Sequence, residues 1–284
     1  MKNLFISFSG GETSALMTYR ILTEHRDRYD SIVVLFANTG LESEETLEFV
    51  RECDSRLGFG TVWVEAVQLH AIRKAAVARV VTFETASRNG EPFEDMIRKY
   101  GIPNHAAPHC TRSTKLTPMI SYLRENLGWK KGQYDTAIGI RADEAGRRSK
   151  KQEENQVVYP LLDWQPTTKI QVNRFWREQP FRLRLCGYQG NCRTCWKKSN
   201  RKLLFLMEED PESFLFFERM ENDYGLVGPE FEKGYIEGYK RTFFRGNRSV
   251  KDLREELRIA GGAEAVEDDA TVYGCGEQCE ITFD

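Results

Sequence analysis

The feature that most constrains this chain lies at its start. An apolar run over residues 4–8 meets Ser9-Gly10-Gly11 and then a helix-forming stretch over residues 14–22. That order predicts a strand, a tight turn and a helix, with glycines where the backbone must reverse within a few residues. A helix beginning there directs its unbonded N–H groups, and the positive end of its dipole, into the turn. Ser9, Thr13 and Ser14 add hydroxyl groups around the same point. Such a turn suits a phosphate or a pyrophosphate. The plainer alternative is an ordinary strand–helix loop, because glycine and serine are common turn residues. The loop is neither Gly-x-x-x-x-Gly-Lys, since no lysine follows, nor Gly-x-Gly-x-x-Gly.

The alternation continues down the chain. Residues 31–37 read as a strand buried on both faces and end in the turn Asn38-Thr39-Gly40. A helix over residues 44–57 and a strand over residues 61–67 follow. This spacing predicts an α/β fold with a doubly wound parallel sheet, whose ligands sit at the carboxyl ends of its strands. Both turns lie there. Residues 71–85 read as helix first and an apolar stretch over 80–83 after it. Next come an amphipathic helix over residues 92–100 and a loop marked by proline and histidine. That loop leads through Cys110, Arg112 and Lys115 into a helix, a setting that lowers a thiol pKa. A strand over residues 134–138 runs into Gly139-Ile140-Arg141-Ala142-Asp143-Glu144-Ala145-Gly146-Arg147-Arg148. Arginine forks at a strand end suit sulfate or phosphate oxygens, whereas a solvated charged turn is the bland alternative.

Beyond residue 200 the chain turns helical, with apolar faces over 203–207 and 214–220 and a capping signal at Ser249. The acidic run over 264–269 predicts a linker to a tail that carries Cys275 and Cys279. The expected division is therefore a nucleotide-binding unit over residues 1–200, a helical part over 201–262 and an acidic tail over 263–284.

A length of 284 residues, 40% hydrophobic and 30% charged, fits a soluble globular protein. A net charge of −2 offers no general attraction to nucleic acid or membrane. No apolar run approaches membrane-spanning length, and a strand at the very start leaves no room for a signal peptide. A cytoplasmic protein with no membrane partner is expected. Seven cysteines are many for such a compartment, where disulfides are rare, so metal or sulfur chemistry is the natural alternative. In Cys186-Gly-Tyr-Gln-Gly-Asn-Cys192-Arg-Thr-Cys195, the Cys-x-x-Cys pair lets two thiolates reach one metal from a single turn, and Cys186 supplies a third. Unequal spacing and flanking Arg193, Lys197 and Lys198 favour a [4Fe–4S] cluster over a structural zinc ion.

Five ordered motifs over residues 1–200 resemble one family. Ser9-Gly-Gly-x-x-Ser14 after an N-terminal strand resembles the PP-loop of the ATP pyrophosphatase and phosphoadenylyl-sulfate reductase superfamily. The segment Asn38-Thr-Gly-Leu-Glu-Ser-Glu44-Glu45-Thr46…Phe49 is similar to the reductases' Asp-Thr-Gly…Pro-Glu-Thr…Phe, with Asn38 in place of Asp and Glu44 in place of Pro. Cys110-Thr-x-x-x-Lys115 resembles a segment of cluster-bearing members. Gly139-x-Arg141-x-x-Glu144-Ala145-x-x-Arg148 resembles Gly-x-Arg-x-x-Glu-Ser-x-x-Arg, and Pro160-Leu161-x-x-Trp164 resembles its Pro-Leu-x-x-Trp stretch. A single cysteine at position 110, preceded by His109, replaces the Cys-Cys pair of adenylyl-sulfate reductases. That pattern is nearer to DNA phosphorothioation and related phage or bacterial members.

The resemblance implies an adenine nucleotide α-hydrolase-like fold with a cysteine-rich metal-binding insertion. The candidate nucleotide contacts are Ser7, Ser9, Gly10, Gly11, Glu12, Thr13, Ser14, Asn38, Thr39, Gly40, Glu45, Gly139, Arg141, Arg147 and Arg148. Cys110 joins Cys186, Cys192 and Cys195 as the fourth metal ligand. Arg141 and Lys115 are candidate catalytic residues, as are Cys275 and Cys279 by loose likeness to the reductases' nucleophilic tail cysteine. The implied chemistry is reduction of an adenylyl sulfate, or ATP-dependent adenylation of an acceptor followed by sulfur insertion, which requires Mg²⁺. A reductant such as thioredoxin, a sulfur donor or a nucleic-acid acceptor would be the partner. The competing expectation is a nucleotide- or nucleic-acid-binding module with a purely structural zinc site. Its basic segments, residues 141–151 and 193–202, would then face a nucleic-acid backbone.

Overall fold

A computed structural model describes residues 2–71, 74–190, 192–229 and 238–266. Six strands form one sheet: β1 (Lys2–Ser7), β2 (Tyr29–Asn38), β3 (Val62–Val67), β4 (Val77–Val81), β5 (Tyr134–Ala137) and β6 (Val157–Val158). Their order is β4-β3-β2-β1-β5-β6, and every pairing is parallel except the antiparallel β3–β4 edge. Successive side chains of β1 enter opposite layers. Leu4, Ile6 and Phe8 join one apolar cluster and Phe5 another. Helices α1 (Glu12–Glu24), α2 (Glu44–Leu57) and α5 (Lys169–Arg177) supply the first layer, and α4 (Thr117–Leu127) supplies the second. This is the doubly wound α/β sheet read from the sequence. Between β1 and β5 the winding reverses direction, which opens a crevice at their carboxyl ends.

Element positions follow local signals closely. Helix α2 spans Glu44–Leu57 and stops at Gly58, whose φ of 67° closes it in the left-handed conformation. Residues 71–85 depart from the expected helix: Val77–Val81 is an edge strand, and no helix occurs among the described residues there. The β-branched valines favour the strand, and Arg79 gives the fully buried Glu65 of β3 a charged partner at 2.5 Å. The two-residue strand β6 carries no periodicity for a sequence reading to detect.

The C-terminal helices α6 (Asn200–Glu209), α7 (Leu215–Tyr224) and α8 (Val250–Ala260) share an apolar cluster with α3 (Glu91–Tyr100), Cys110 and Trp196. Helix α8 begins as expected, with Ser249 and Asp252 forming a reciprocal capping box. Within this region Glu221 of α7 is buried and accepts the backbone N–H groups of Phe243 (3.1 Å) and Val250 (2.9 Å). Burial pushes its carboxyl from 4.5 up to about 7, against those two hydrogen bonds. The folded chain therefore holds a proton, between pH 4.5 and about 7, that the unfolded chain has released. This stabilisation is fully present below pH 4.5 and is lost as pH rises through about 7. At ~1.4 kcal/mol per pH unit the loss is on the order of 3 kcal/mol. Denaturation midpoints should fall between pH 5 and pH 8, and Glu221→Gln, which cannot ionise, should flatten the decline from a lower starting value. Parallel declines in both proteins would show that Glu221 does not titrate in this window.

Candidate functional site

Gly10 turns the chain at the end of β1 with φ 79°, and a Cβ there would lie 2.7 Å from Thr46 and 3.1 Å from Phe36. Only glycine meets both demands. Gly11 follows as the extended N-cap of α1 and has no side chain with which to cap it, so the first-turn N–H groups face the crevice. Ser14 ties the turn together. Its hydroxyl donates to Gly11 O (3.0 Å), accepts Ser9 N–H (3.2 Å) and lies 2.9 Å from the Ser9 hydroxyl. Ser7 is buried at the strand end. Across the crevice, a Cβ on Gly139 would stand 3.1 Å from Ser14 Cα, so this glycine admits the β5 loop against α1.

The β5 loop delivers Arg141, which is 7% exposed and donates to the Thr13 hydroxyl at 3.3 Å. Two carboxylates hold the same guanidinium, Asp143 at 3.1 Å and Glu144 at 3.2 Å. Arg147 pairs with Glu144 at 2.5 Å, while Arg148 pairs with Asp163. All three arginines are thus oriented by acids before any ligand arrives. In the second basic segment, Arg193 pairs with Asp210 and buried Lys198 donates to Gly190 O.

Glu12 is turned into the protein. It is 1% exposed and is gripped by Arg182, whose Nε and Nη2 donate at 3.1 and 3.3 Å. Burial raises its carboxyl to about 7, opposed by that arginine. Trp176 of α5 donates to Glu12 O at 2.8 Å. The base of the loop is therefore anchored by α5 and by the segment leading to Cys186.

At the end of β2, fully buried Asn38 donates to Glu65 Oε1 (2.6 Å) and Ser87 O (2.8 Å) and accepts Gly40 N–H (3.1 Å). An aspartate here would set a second carboxylate against Glu65. The departure from the reductase motif is thus matched by the residue opposite. The Thr39 N–H and hydroxyl both donate to Glu42 Oε2 at 2.8 Å, and the other Glu42 oxygen lies 3.3 Å from Lys115 Nζ. Glu45 is half-buried in the first turn of α2.

Lys115 also reaches the second centre. Cys110, Cys192 and Cys195 line one small pocket together with Thr39, Lys115 and Lys197. Cys110 opens a helical segment that passes through a π-helical turn, Arg112–Leu116, into α4. Cys192 and Cys195 sit on successive tight turns, closed by Cys195 N–H to Cys192 O and Lys198 N–H to Cys195 O, both 3.0 Å. Cys186 is half-buried beside this pocket's apolar surroundings and bonds to Tyr188 rather than lining the wall. Cys53 belongs to the main core, where burial pushes its thiol far up. Cys275 and Cys279 lie outside the described residues.

The donor set fits a thiolate-bound group in two respects. Three thiols from two chain segments face one space, with two lysines to offset their charge. Two buried polar atoms of wall residues, Thr111 Oγ1 and Trp196 Nε1, have no hydrogen-bond partner among the described residues. Among the described residues, no three His, Cys, Asp or Glu side chains are gathered closely enough to hold a single metal ion. The two centres meet at Thr39, whose hydroxyl is 3.8 Å from Cys192 Sγ, and at a backbone bridge between Glu42 and Cys192. Sequence reasoning did not single out Glu42, Thr111, Arg182 or Trp196. The one signal available was that Thr111 and Trp196 each directly follow a candidate ligand.

Known proteins place this geometry in context. Residues 3–179 match the phosphoadenosine phosphosulfate reductase domain. Over 97% of its length the chain is 29% identical to an uncharacterised nin region protein of Escherichia phage lambda, covering 94% of that protein. Two uncharacterised proteins of Methanocaldococcus jannaschii are 26% and 27% identical over 57% of the chain, which spans only 29% and 33% of their lengths. Sheet topology, loop and matched residues agree, and the chain belongs to the phosphoadenosine phosphosulfate reductase domain family.

Proposed function

We propose that this protein is an enzyme that binds an adenylyl sulfate in the β1/β5 crevice and reduces it beside a thiolate-held [4Fe–4S] cluster. The observation that carries this reading is the contact between Thr39 and Cys192, which makes the two centres neighbours. The N-terminal N–H groups of α1 and the hydroxyls of Ser9, Thr13 and Ser14 hold the phosphate. Arg141, already aligned on Thr13, is placed to fork onto its oxygens. Cys110, Cys192 and Cys195 would hold the cluster, with Cys186 as the fourth ligand. When bound, the cluster supplies electrostatic and redox tuning next to the sulfur. Lys115, held by Glu42, adds positive charge between the sites. In the overall reaction a dithiol gives up two electrons and becomes a disulfide. The bond between sulfur and the bridging phosphate oxygen breaks, and sulfite and the nucleotide leave.

A second reading is favoured by Asp143 and Glu144, hard oxygen ligands beside the same loop that suit Mg²⁺. Here Mg·ATP adenylates an acceptor, pyrophosphate departs and a sulfur donor displaces AMP. Anaerobic protein incubated with adenosine 5′-phosphosulfate or its 3′-phosphorylated form and a dithiol should release sulfite. Sulfite from neither, but pyrophosphate from Mg·ATP, would replace the first reading by the second. No tight binding of any of these nucleotides would remove both.

A further inference from the structure

Glu12 serves the phosphate loop with its main chain and the protein interior with its side chain. The first intrahelical bond of α1 runs from Ala15 N–H to Gly11 O at 3.0 Å, so the N–H groups of Glu12, Thr13 and Ser14 stand ahead of it at the crevice. The carboxylate of the same residue is 1% exposed. Arg182 forks onto it at 3.1 and 3.3 Å, the Leu183 N–H donates to it, and Trp176 donates to its main-chain carbonyl at 2.8 Å. Lys169 of α5 adds a weaker positive influence, and the buried Cys53 thiol of α2 feels the charge of Glu12. On the crevice side, the Arg141 guanidinium that meets the hydroxyl of neighbouring Thr13 is already shared between Asp143 and Glu144.

A carboxylate at the first position of a helix and an anion on that helix's N–H groups draw on the same positive potential. Here both would be held within one turn, and the buried carboxylate has little water to screen it. A buried charge beside a like charge is neutralised rather than kept. Arg182 balances one negative charge, not two. We propose that Glu12 takes up a proton as the phosphate of the nucleotide settles on the loop, so that this one residue sets the pH dependence of nucleotide binding. Its side chain is a positioning and charge-setting group, not a contact of the nucleotide. Burial already raises the free carboxyl to about 7 against Arg182, which places the exchange near neutral pH. The bound anion raises it further, so above pH 7 the complex holds a proton that the free protein has released. Affinity is therefore highest below pH 7 and falls as pH rises above it. A rise of one pH unit on binding corresponds to a fall of about tenfold in affinity. The inference rests on the reading that this loop holds a phosphate.

The test uses the full chain as wild type and Glu12→Gln, with adenosine 5′-phosphosulfate, whose phosphate and sulfate stay fully ionised across the range. Titration calorimetry at pH 7.5 in buffers of different ionisation enthalpy counts the protons taken up per ligand, and dissociation constants are measured from pH 6 to pH 9. Wild type is expected to take up about half a proton, and its affinity to fall about tenfold across the range. Glu12→Gln keeps an acceptor for Arg182 but cannot ionise. It should take up none and bind about tenfold more tightly than wild type at pH 9, whereas a residue that only shaped the loop would bind more loosely at every pH once substituted. If adenosine 5′-phosphosulfate does not bind, Mg·ATP replaces it, and the difference between the two proteins cancels protons carried by the ligand. The wild-type proton count carries the test if Glu12→Gln fails to fold. Binding without proton uptake, or uptake that persists in Glu12→Gln, would overturn the inference while leaving the phosphate loop in place. A wild-type protein that binds neither ligand would overturn the phosphate-loop reading, and the inference with it.

Discussion

Cys192→Ala is expected to strip the protein of iron and sulfide, from about four irons per chain to almost none. Cys192 occupies the junction of the molecule. Its sulfur faces the shared pocket and lies 3.8 Å from the Thr39 hydroxyl, and its backbone bridges to Glu42. Cys110→Ala and Cys195→Ala should behave alike, because each removes a wall thiol that the other segment cannot replace. Cys186→Ala is the discriminating variant, since that thiol bonds to Tyr188 away from the wall. Loss of iron there would establish it as the fourth ligand, and retention would pass that role to another residue. Cys53→Ala serves as control. That side chain is sealed in the main core, so the variant should lose about 1 kcal/mol of stability and keep its iron. Wild-type protein carrying one zinc and no iron would sink the cluster while leaving the nucleotide loop untouched.

Arg141→Ala is expected to weaken nucleotide binding by about 10–100-fold. Charge-assisted hydrogen bonds to phosphate contribute roughly 1.5–3 kcal/mol, which corresponds to that range. Two effects act together. The phosphate loses the one guanidinium that also touches Thr13, and Asp143 and Glu144 are left near the phosphate without their shared cation. Arg141→Lys should restore only part of the affinity, because a single ammonium cannot fork between the hydroxyl, two carboxylates and a phosphate. Arg148→Ala, at a half-exposed pair with Asp163, should change affinity less. Titration calorimetry with ATP and with adenosine 5′-phosphosulfate measures these differences, and a circular-dichroism melt checks folding. Unchanged dissociation constants for both ligands in Arg141→Ala would show that the crevice holds its phosphate elsewhere.

The pH dependence of stability has a second contributor in Glu12, which is buried like Glu221 and likewise raised to about 7. Because Glu12 begins α1, a nucleotide phosphate bound at that helix end would add negative charge nearby and disfavour the ionised carboxylate further.

Much of the framework was legible in the order of residues. The strand, turn and helix at the start, the boundaries of α2 and the capping box at Ser249 are set by neighbours a few positions apart. The same holds for the two loops at strand ends, since a parallel α/β order places them at one edge whatever fills the core. The antiparallel direction of β4 was not legible. It depends on a buried glutamate in β3 that accepts Arg79, fourteen positions further on. Nor could the sequence show that Glu12, inside the phosphate loop, faces Arg182 across 170 positions, or that three arginines come already matched with acids.

The sequence by itself therefore determined the fold class, the inventory of phosphate-binding and thiol groups, and the edge of the sheet where the loops emerge. Only the tertiary structure decided which of those groups are neighbours. It brought Thr39 to Cys192 across 153 positions and set Cys186 off the wall that its three fellows line. The physical reason is that periodicity and turn chemistry record which residues are buried and where the chain reverses. What a side chain is buried against is settled by long-range packing, in which residues far apart in the chain compete for the same neighbours.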